Sequence, residues 1–213
     1  MNRATPQSLR RLIAQGEGAT LDFKKTISSP QKIAKTLCAF ANSHGGSLLI
    51  GVADSGKVVG ADPEEEGYMI ESAANFWCRP VVPYDLQVHE DRGLQVLEVV
   101  VPQSDRKPHA AKNDDDGKWW VYIRVADQSL LASKVVVDVL RRETLGQDSV
   151  FELTSKEEAL LKYLSEHSRI TLKEYCKLIN VSLRRARRII VDLAYSGVIR
   201  VHTTEQIEYY TLA

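Results

Sequence analysis

Residues 40–56 read FANSHGGSLLIGVADSG. Phe40-Ala41 closes an apolar helical stripe, Asn42 to Gly46 is turn chemistry, and Ser47 to Ala53 is an almost unbroken apolar run. Upstream, Ile33, Leu37, Phe40 and Ala41 share one helical face. Ser28 and Gln31 have capping-box spacing, and Pro30 suits the first turn, so a helix ends near Asn42 and packs on a sheet. An apolar run without polar alternation suits a central strand covered on both faces. The stretch therefore joins a sheet-packed helix to a buried strand.

Two local questions follow. GVADSGK fits G-x-x-x-x-G-K, but Val58 stands where a phosphate loop needs Ser or Thr for magnesium. Asp54-Ser55-Gly56 leads toward another strand, Lys57 to Gly60, and not into a helix whose amides could hold phosphate. This reads as a hairpin and not an ATP site. Gly45 and Gly46 permit two readings. They allow positive φ and close backbone approach after a helix. Alternatively, beside Asn42 and His44, they form an amide nest for an anion such as nucleic-acid phosphate.

Working outward, Thr5-Pro6 opens a helix carrying Leu9, Leu12 and Ile13, which Gly16 stops. Thr20 to Lys24 reads as a short strand, and residues 64–77 as a helix. Leu86 to Val88 and Leu94 to Val101 flank a hairpin turn, Asp91-Arg92-Gly93. Alternation from Trp119 to Val125 marks another strand. It puts Trp119 on the opposite face from Trp120 and Tyr122, so no base-stacking platform follows from the pattern. Residues 129–142 read as a last helix, with Gln147 to Val150 as a linker.

From residue 152 the grammar changes. Thr154 with Glu157 is a capping box, and Ala159, Leu160, Tyr163 and Leu164 supply an apolar stripe. Ile170-Thr171 is a short extended piece, Leu172 to Ile179 a second helix, Asn180 to Ser182 a tight turn, and Ser182 to Tyr195 a third helix. Val198 to Val201 and Ile207 to Leu212 are strands around a polar tip, His202 to Gln206. That is winged-helix order. The expected organisation is an α/β (α+β) domain over 1–146 and a small winged-helix domain over 152–213.

Bulk charge names no partner: Lys+Arg and Asp+Glu both number 28. Local charge does. Arg184, Arg185, Arg187 and Arg188 crowd the first half of the third helix, and with Ser182 just before them they are the expected nucleic-acid contacts. In a helix-turn-helix this half enters the major groove, where arginine meets phosphate or guanine. The wheel turns Arg184, Arg185 and Arg188 outward and leaves Arg187 to brace the fold in part. His202 and the wing tip are candidates for phosphate or minor-groove contact. Cys38, Cys78 and Cys176 form no CxxC pair, which argues against a zinc knuckle or a disulfide scaffold. No signal-peptide pattern or long apolar stretch is present, so a cytoplasmic protein without a membrane partner is expected.

The string GEGATLDFKKTISSPQKIAKTLCAFANSHGGSLLIGVADSGKVVG resembles the Schlafen-type AlbA-like domain. Matching pieces include Gly16-Glu17, Leu21 to Lys24, Ala39 to Asn42, Gly45-Gly46 and Leu49 to Val52, with Asp54 and Gly60. Val99 to Pro102, Pro108 and Tyr122-Ile123-Arg124 resemble its later strands, so the likeness spans about residues 10–140. Such domains occur in bacterial transcriptional regulators and were once described as divergent AAA ATPases. The resemblance implies an AlbA-like mixed-sheet sandwich that binds nucleic acid, with Asn42, Gly45, Gly46, Lys24 and Lys25 as contacts. Some animal Schlafen proteins are RNA endonucleases with three acidic residues. Glu17, Asp22 and Asp54 occupy those places here, with Lys24 positioned for a phosphate oxygen. The nuclease type has glutamate at residue 22, where this chain has aspartate.

The expected function is binding of double-stranded DNA with regulation of transcription, without a cofactor, as a homodimer that addresses two half-sites. Two alternatives stand beside it. One is a nuclease for structured RNA or DNA, with Mg²⁺ or Mn²⁺ held by Glu17, Asp22 and Asp54. The other is a non-catalytic protein-interaction module.

Overall fold

The computed structural model describes residues 2–3, 6–113, 115–146 and 153–213. The chain divides into two compact units, residues 1–131 and 132–213. Thr5, the expected first cap, and the expected linker at Gln147 to Val150 lie outside the described residues.

The first unit contains β1 (Asn2–Arg3), α1 (Pro6–Gln15), β2 (Leu21–Lys24), α2 (Pro30–Asn42), β3 (Gly46–Ile50) and α3 (Pro63–Phe76). It continues with β4 (Cys78–Arg79), β5 (Asp85–Asp91), β6 (Leu94–Val101), β7 (Ala110–Lys112), β8 (Trp119–Val125) and β9 (Gln128–Leu131). A mixed five-stranded sheet has the order β1-β5-β6-β3-β2, with β2 parallel to β3 and the remaining neighbours antiparallel except β1 with β5. A second, antiparallel sheet has the order β4-β7-β8-β9.

The apolar run does what its composition demands. Leu48, Leu49 and Ile50 are fully buried. Leu48 and Ile50 join Leu37, Phe40 and Ala41 of α2 and Ile70 and Ala73 of α3 in the main core. Leu49 faces the other way, onto Phe23, Val96 and Leu9 of α1. Ala111 of the second sheet belongs to the α2 core too, so α2 is the layer that the two sheets share.

Three local expectations are corrected. The cap of α2 is Ser29, not Ser28: its hydroxyl accepts from the Lys32 N–H at 3.3 Å. Proline is favoured at the first helical position, so the residue before Pro30 must be the cap. Lys57 to Gly60 makes no strand; a single bridge joins Val52 to Val58, closed by Ala53 N–H to Lys57 O at 2.9 Å. No helix begins until Pro63, as the missing phosphate-loop geometry required. Residues 128–131 are a strand, with Val125 opposite Gln128 across a two-residue turn. The helix that follows starts only after Ser133, whose hydroxyl accepts from Val135 and Val136.

The second unit contains α4 (Lys134–Leu145), α5 (Ser155–Glu166), α6 (Leu172–Ile179), α7 (Leu183–Tyr195), β10 (Ile199–Thr203) and β11 (Glu208–Leu212). Capping boxes at Thr154 with Glu157 and Thr171 with Glu174 start α5 and α6. Asn180 in the left-handed region ends α6. The core gathers Leu160, Leu164, Tyr175, Ala186, Ile189, Ile190, Leu193 and Tyr210. Ile170 bridges to Tyr210, which ties the segment before α6 to the β10–β11 hairpin. The helix α4, assigned from sequence to the first domain, packs here: Val135 lies in this core and Val139 against it. Arg142 pairs with Asp192, and Asp138 with Arg187, so α4 is both glued and ion-paired to α7.

Candidate nucleic-acid interface

The first half of α7 is built to expose cations. Ser182 caps it by accepting from the Arg185 N–H at 3.4 Å. Ala186, Ile189 and Ile190 turn inward and are buried. At 100° per residue this leaves Arg184, Arg185 and Arg188 outward, and all three are exposed. Arg187 is half-buried, and its Nε lies 3.4 Å from Asp138 Oδ2, which is the bracing role its wheel position suggested. The three outward arginines and Lys156 of α5 line one groove of about 550 Å³. Its two acids are already engaged: Glu157 caps Thr154, and Asp192 pairs with Arg142. None of the four cations has an ion-pair partner among the described residues. Lys156 was missed from sequence because its capping-box surroundings explain it locally; only the fold brings it to α7.

His202 is not at the tip of the hairpin. It lies within β10, its Nε2 3.0 Å from Thr211 Oγ1 and its ring stacked on Tyr209 at 4.9 Å. The tip is residues 204–207, and Glu205 there is no phosphate ligand.

The turn after α2 resolves toward the interior. Asn42 is 2% exposed. Its amide nitrogen donates to the carbonyls of His109 and Tyr122, both at 2.8 Å, and its oxygen accepts from the His109 N–H at 2.7 Å. All its strong hydrogen-bonding capacity bar one lone pair is used to staple the end of α2 to the second sheet. A Cβ on Gly45, whose φ is +74°, would stand 2.7 Å from Val101 O. One on Gly46 would stand 2.6 Å from the Phe40 ring and 2.8 Å from Thr20 O. Both glycines are needed because protein atoms, not a ligand, come close. The nucleic-acid roles expected for Asn42, Gly45 and Gly46 therefore give way to structural ones.

The acidic residues divide similarly. Asp22 is buried between two cations: Arg124 Nη2 at 3.2 Å and Lys24 Nζ at 3.0 Å. Arg124 is itself a hub, donating to Gly18 O at 3.0 Å and Leu21 O at 3.3 Å, with its guanidinium 5.0 Å from the Phe40 ring centroid. Glu17 accepts from the Phe23 N–H at 2.9 Å. Burial, with the neighbouring Asp22 carboxylate, pushes the Glu17 carboxyl above its ordinary range. Glu17 and Asp22 therefore do come together. Asp54 sits exposed in the turn after β3. Among the described residues no group of three or more acids, histidines or cysteines is disposed to hold a metal ion. The Asp22 carboxylate is already neutralised by a buried arginine and a half-exposed lysine. Lys24 is occupied by Asp22 and the Phe23 carbonyl, while Lys25 is exposed.

The Schlafen, AlbA_2 family model matches residues 17–133, more than half of the chain. The chain belongs to that family. The family segment ends where α4 begins, in keeping with the packing of α4 in the second unit. Family membership points to a nucleic-acid-related function, and the mixed α/β architecture of the first unit matches an AlbA-like fold. Among solved structures, the DIP2311 protein from Corynebacterium diphtheriae aligns at 16% identity and a TM-score of 0.47, covering 64% of this chain. This chain spans only 28% of that protein. The N-terminal domain of a RecG-related protein from Nitrosomonas europaea aligns at 23% identity and a TM-score of 0.43, covering 70% of this chain and 94% of that one. No curated protein matches. Among the described residues, no helix is long and apolar enough to cross a membrane.

Proposed function

We propose that this member of the Schlafen, AlbA_2 family binds double-stranded DNA and regulates transcription, with α5 to β11 acting as a winged helix. The observation that carries this is the unpaired cationic face formed by Arg184, Arg185 and Arg188, with Lys156 across the groove. The first half of α7 enters the major groove. Its arginines neutralise phosphate or reach guanine O6 and N7 with paired donors. Lys156, in the first turn of α5, meets the backbone beside the groove. Arg187, held by Asp138, keeps α7 on α4 and does not contact DNA.

The test is fluorescence anisotropy of labelled duplex DNA over about 50 to 200 mM salt. Duplex binding with a steep salt slope is expected. Arg184→Glu with Arg188→Glu weakens it about 100-fold and flattens the slope by about two, since each arginine accounts for about one phosphate contact. Arg187→Gln changes affinity less than about threefold. Unaltered duplex binding by the double variant refutes the reading, as does tighter binding of structured RNA than of duplex DNA.

A further inference from the structure

We propose that the outward face of the second sheet is a separate nucleic-acid site, a stacking platform for the unpaired bases of single-stranded DNA. It does not depend on α7. In the sheet register Arg79 lies opposite Ala110, and Lys112 opposite Trp119. Residues opposite each other, or two apart on one strand, share a face. Arg79, Lys112 and Trp119 therefore project from the same side. Cys78 and Ala111 point the other way, into the α2 core.

On this side lie two cation–ring pairs, one on the exposed Trp119 and one on Trp77, which itself packs partly against the α2 core. The Arg79 guanidinium is 5.5 Å from the Trp119 ring centroid, and the Lys112 ammonium is 5.6 Å from that of Trp77, the residue before β4. Trp119 is 37% exposed, and Arg79 is exposed as well. Neither Arg79 nor Lys112 has a carboxylate partner among the described residues. Asp116, in the neighbouring turn, is already bound by the Lys118 N–H at 3.0 Å and the Asn113 amide at 3.1 Å. Cation–π contacts at exposed sites are weak, so holding the fold together does not account for an exposed indole beside cations that have no carboxylate partner among the described residues.

A single strand supplies what this face lacks. A base presents a flat π surface to Trp119, and the flanking phosphates meet Arg79 and Lys112. Two strand spacings, about 10 Å, separate β4 from β8, so rings and cations serve one short stretch of strand. The outward side chains of these rows, Arg79, Ala110, Lys112, Trp119 and Val121, contain no hydrogen-bond acceptor. A ribose 2′-hydroxyl finds no side-chain acceptor for its own proton here, whereas deoxyribose leaves no such donor over, which favours DNA over RNA as the strand that occupies the face.

The experiment titrates the full chain with labelled oligothymidylate of about 12 nucleotides, within the range of single-strand site sizes. Trp119→Ala is expected to weaken this binding about tenfold, with Trp119→Phe retaining most of it. Arg79→Ala flattens its salt slope by about one. Duplex affinity and the thermal midpoint stay unchanged in all three variants. The proposal is overturned if oligothymidylate does not bind or if Trp119→Ala binds it as tightly as the parent. It is overturned too if duplex affinity falls equally with an unchanged melt. Oligouridylate binding more tightly than oligothymidylate overturns the assignment to DNA.

Discussion

The end of α2 and the start of α7 both place polar side chains in a loop-to-helix corner, and the fold uses them in opposite ways. Asn42 is enclosed by His109, just before β7, and Tyr122 of β8, which donate to or accept from its amide. Arg184, Arg185 and Arg188 project from α7 with no ion-pair partner among the described residues. The cause is location within each unit. The shared layer α2 ends among backbone edges whose N–H and C=O groups are buried and must be paired. The first half of α7 packs through Ala186 and Ile189, with Arg187 braced on Asp138, so the face that carries Arg184, Arg185 and Arg188 stays wet. Residue type alone does not mark a ligand contact. What marks it is whether the fold has already satisfied the group.

The strongest challenge to this contrast is Arg124→Met. Removing the buried partner leaves the buried Asp22 with only the half-exposed Lys24, and the first unit should lose about 3 kcal/mol, the low end for breaking a buried pair. Urea unfolding reads this as a lower midpoint at unchanged slope. Duplex binding by the folded fraction should be unaltered. A variant as stable as the parent would mean that Asp22 is not held by Arg124, and would reopen it as a metal ligand.

Asn42→Ala comes next. It strands two buried carbonyls and one N–H, and a loss of about 3 kcal/mol is expected in the same measurement. If instead stability holds and DNA affinity falls, the contrast between the two corners is broken.

The smallest effect is in pH. Burial pushes the His109 imidazole below its ordinary value of 6.5. The Pro80 carbonyl can only accept, so Nδ1–H donates to it at 2.9 Å, while Nε2 accepts from the Ser104 hydroxyl at 2.7 Å. A histidine that is neutral when folded is protonated first in the unfolded chain. Stability is therefore present above pH 6.5 and declines as pH falls below it. Glu98 adds a second decline. Burial pushes its carboxyl up, but His89 and Ser47 more than offset this and leave it below 4.5. Its contribution is present above 4.5 and is lost as pH falls through the lower folded value. Glu17 and Glu66, both raised chiefly by burial, act in the opposite direction. Denaturant unfolding of the parent and of His109→Gln at pH 7.5 and at about pH 5.5 isolates the first group. The parent should lose more stability than the variant between the two; equal losses would show that His109 does not titrate there.

Much of the fold was legible because it is local. The capping box at Thr154, the bounds of α6, and the hairpin turn at Arg92-Gly93 each depend on residues within a few positions of one another. So does the outward direction of Arg184, Arg185 and Arg188, which helical periodicity sets on its own. The burial of Leu48 to Ile50 followed from composition, since no polar residue interrupts the run. What the sequence left open is decided by contacts between distant positions. Asn42 meets residues 67 and 80 positions away, and Asp22 meets Arg124 across 102. The sequence reading put α4 in the first domain, because an amphipathic stripe of valines fits any apolar core. Only the packed structure assigns it to α7, through Val135 and Val139 and the pairs from Asp138 and Arg142. Periodicity states which face of an element is apolar; tertiary packing alone states which neighbour covers it, and which polar groups remain free for a ligand.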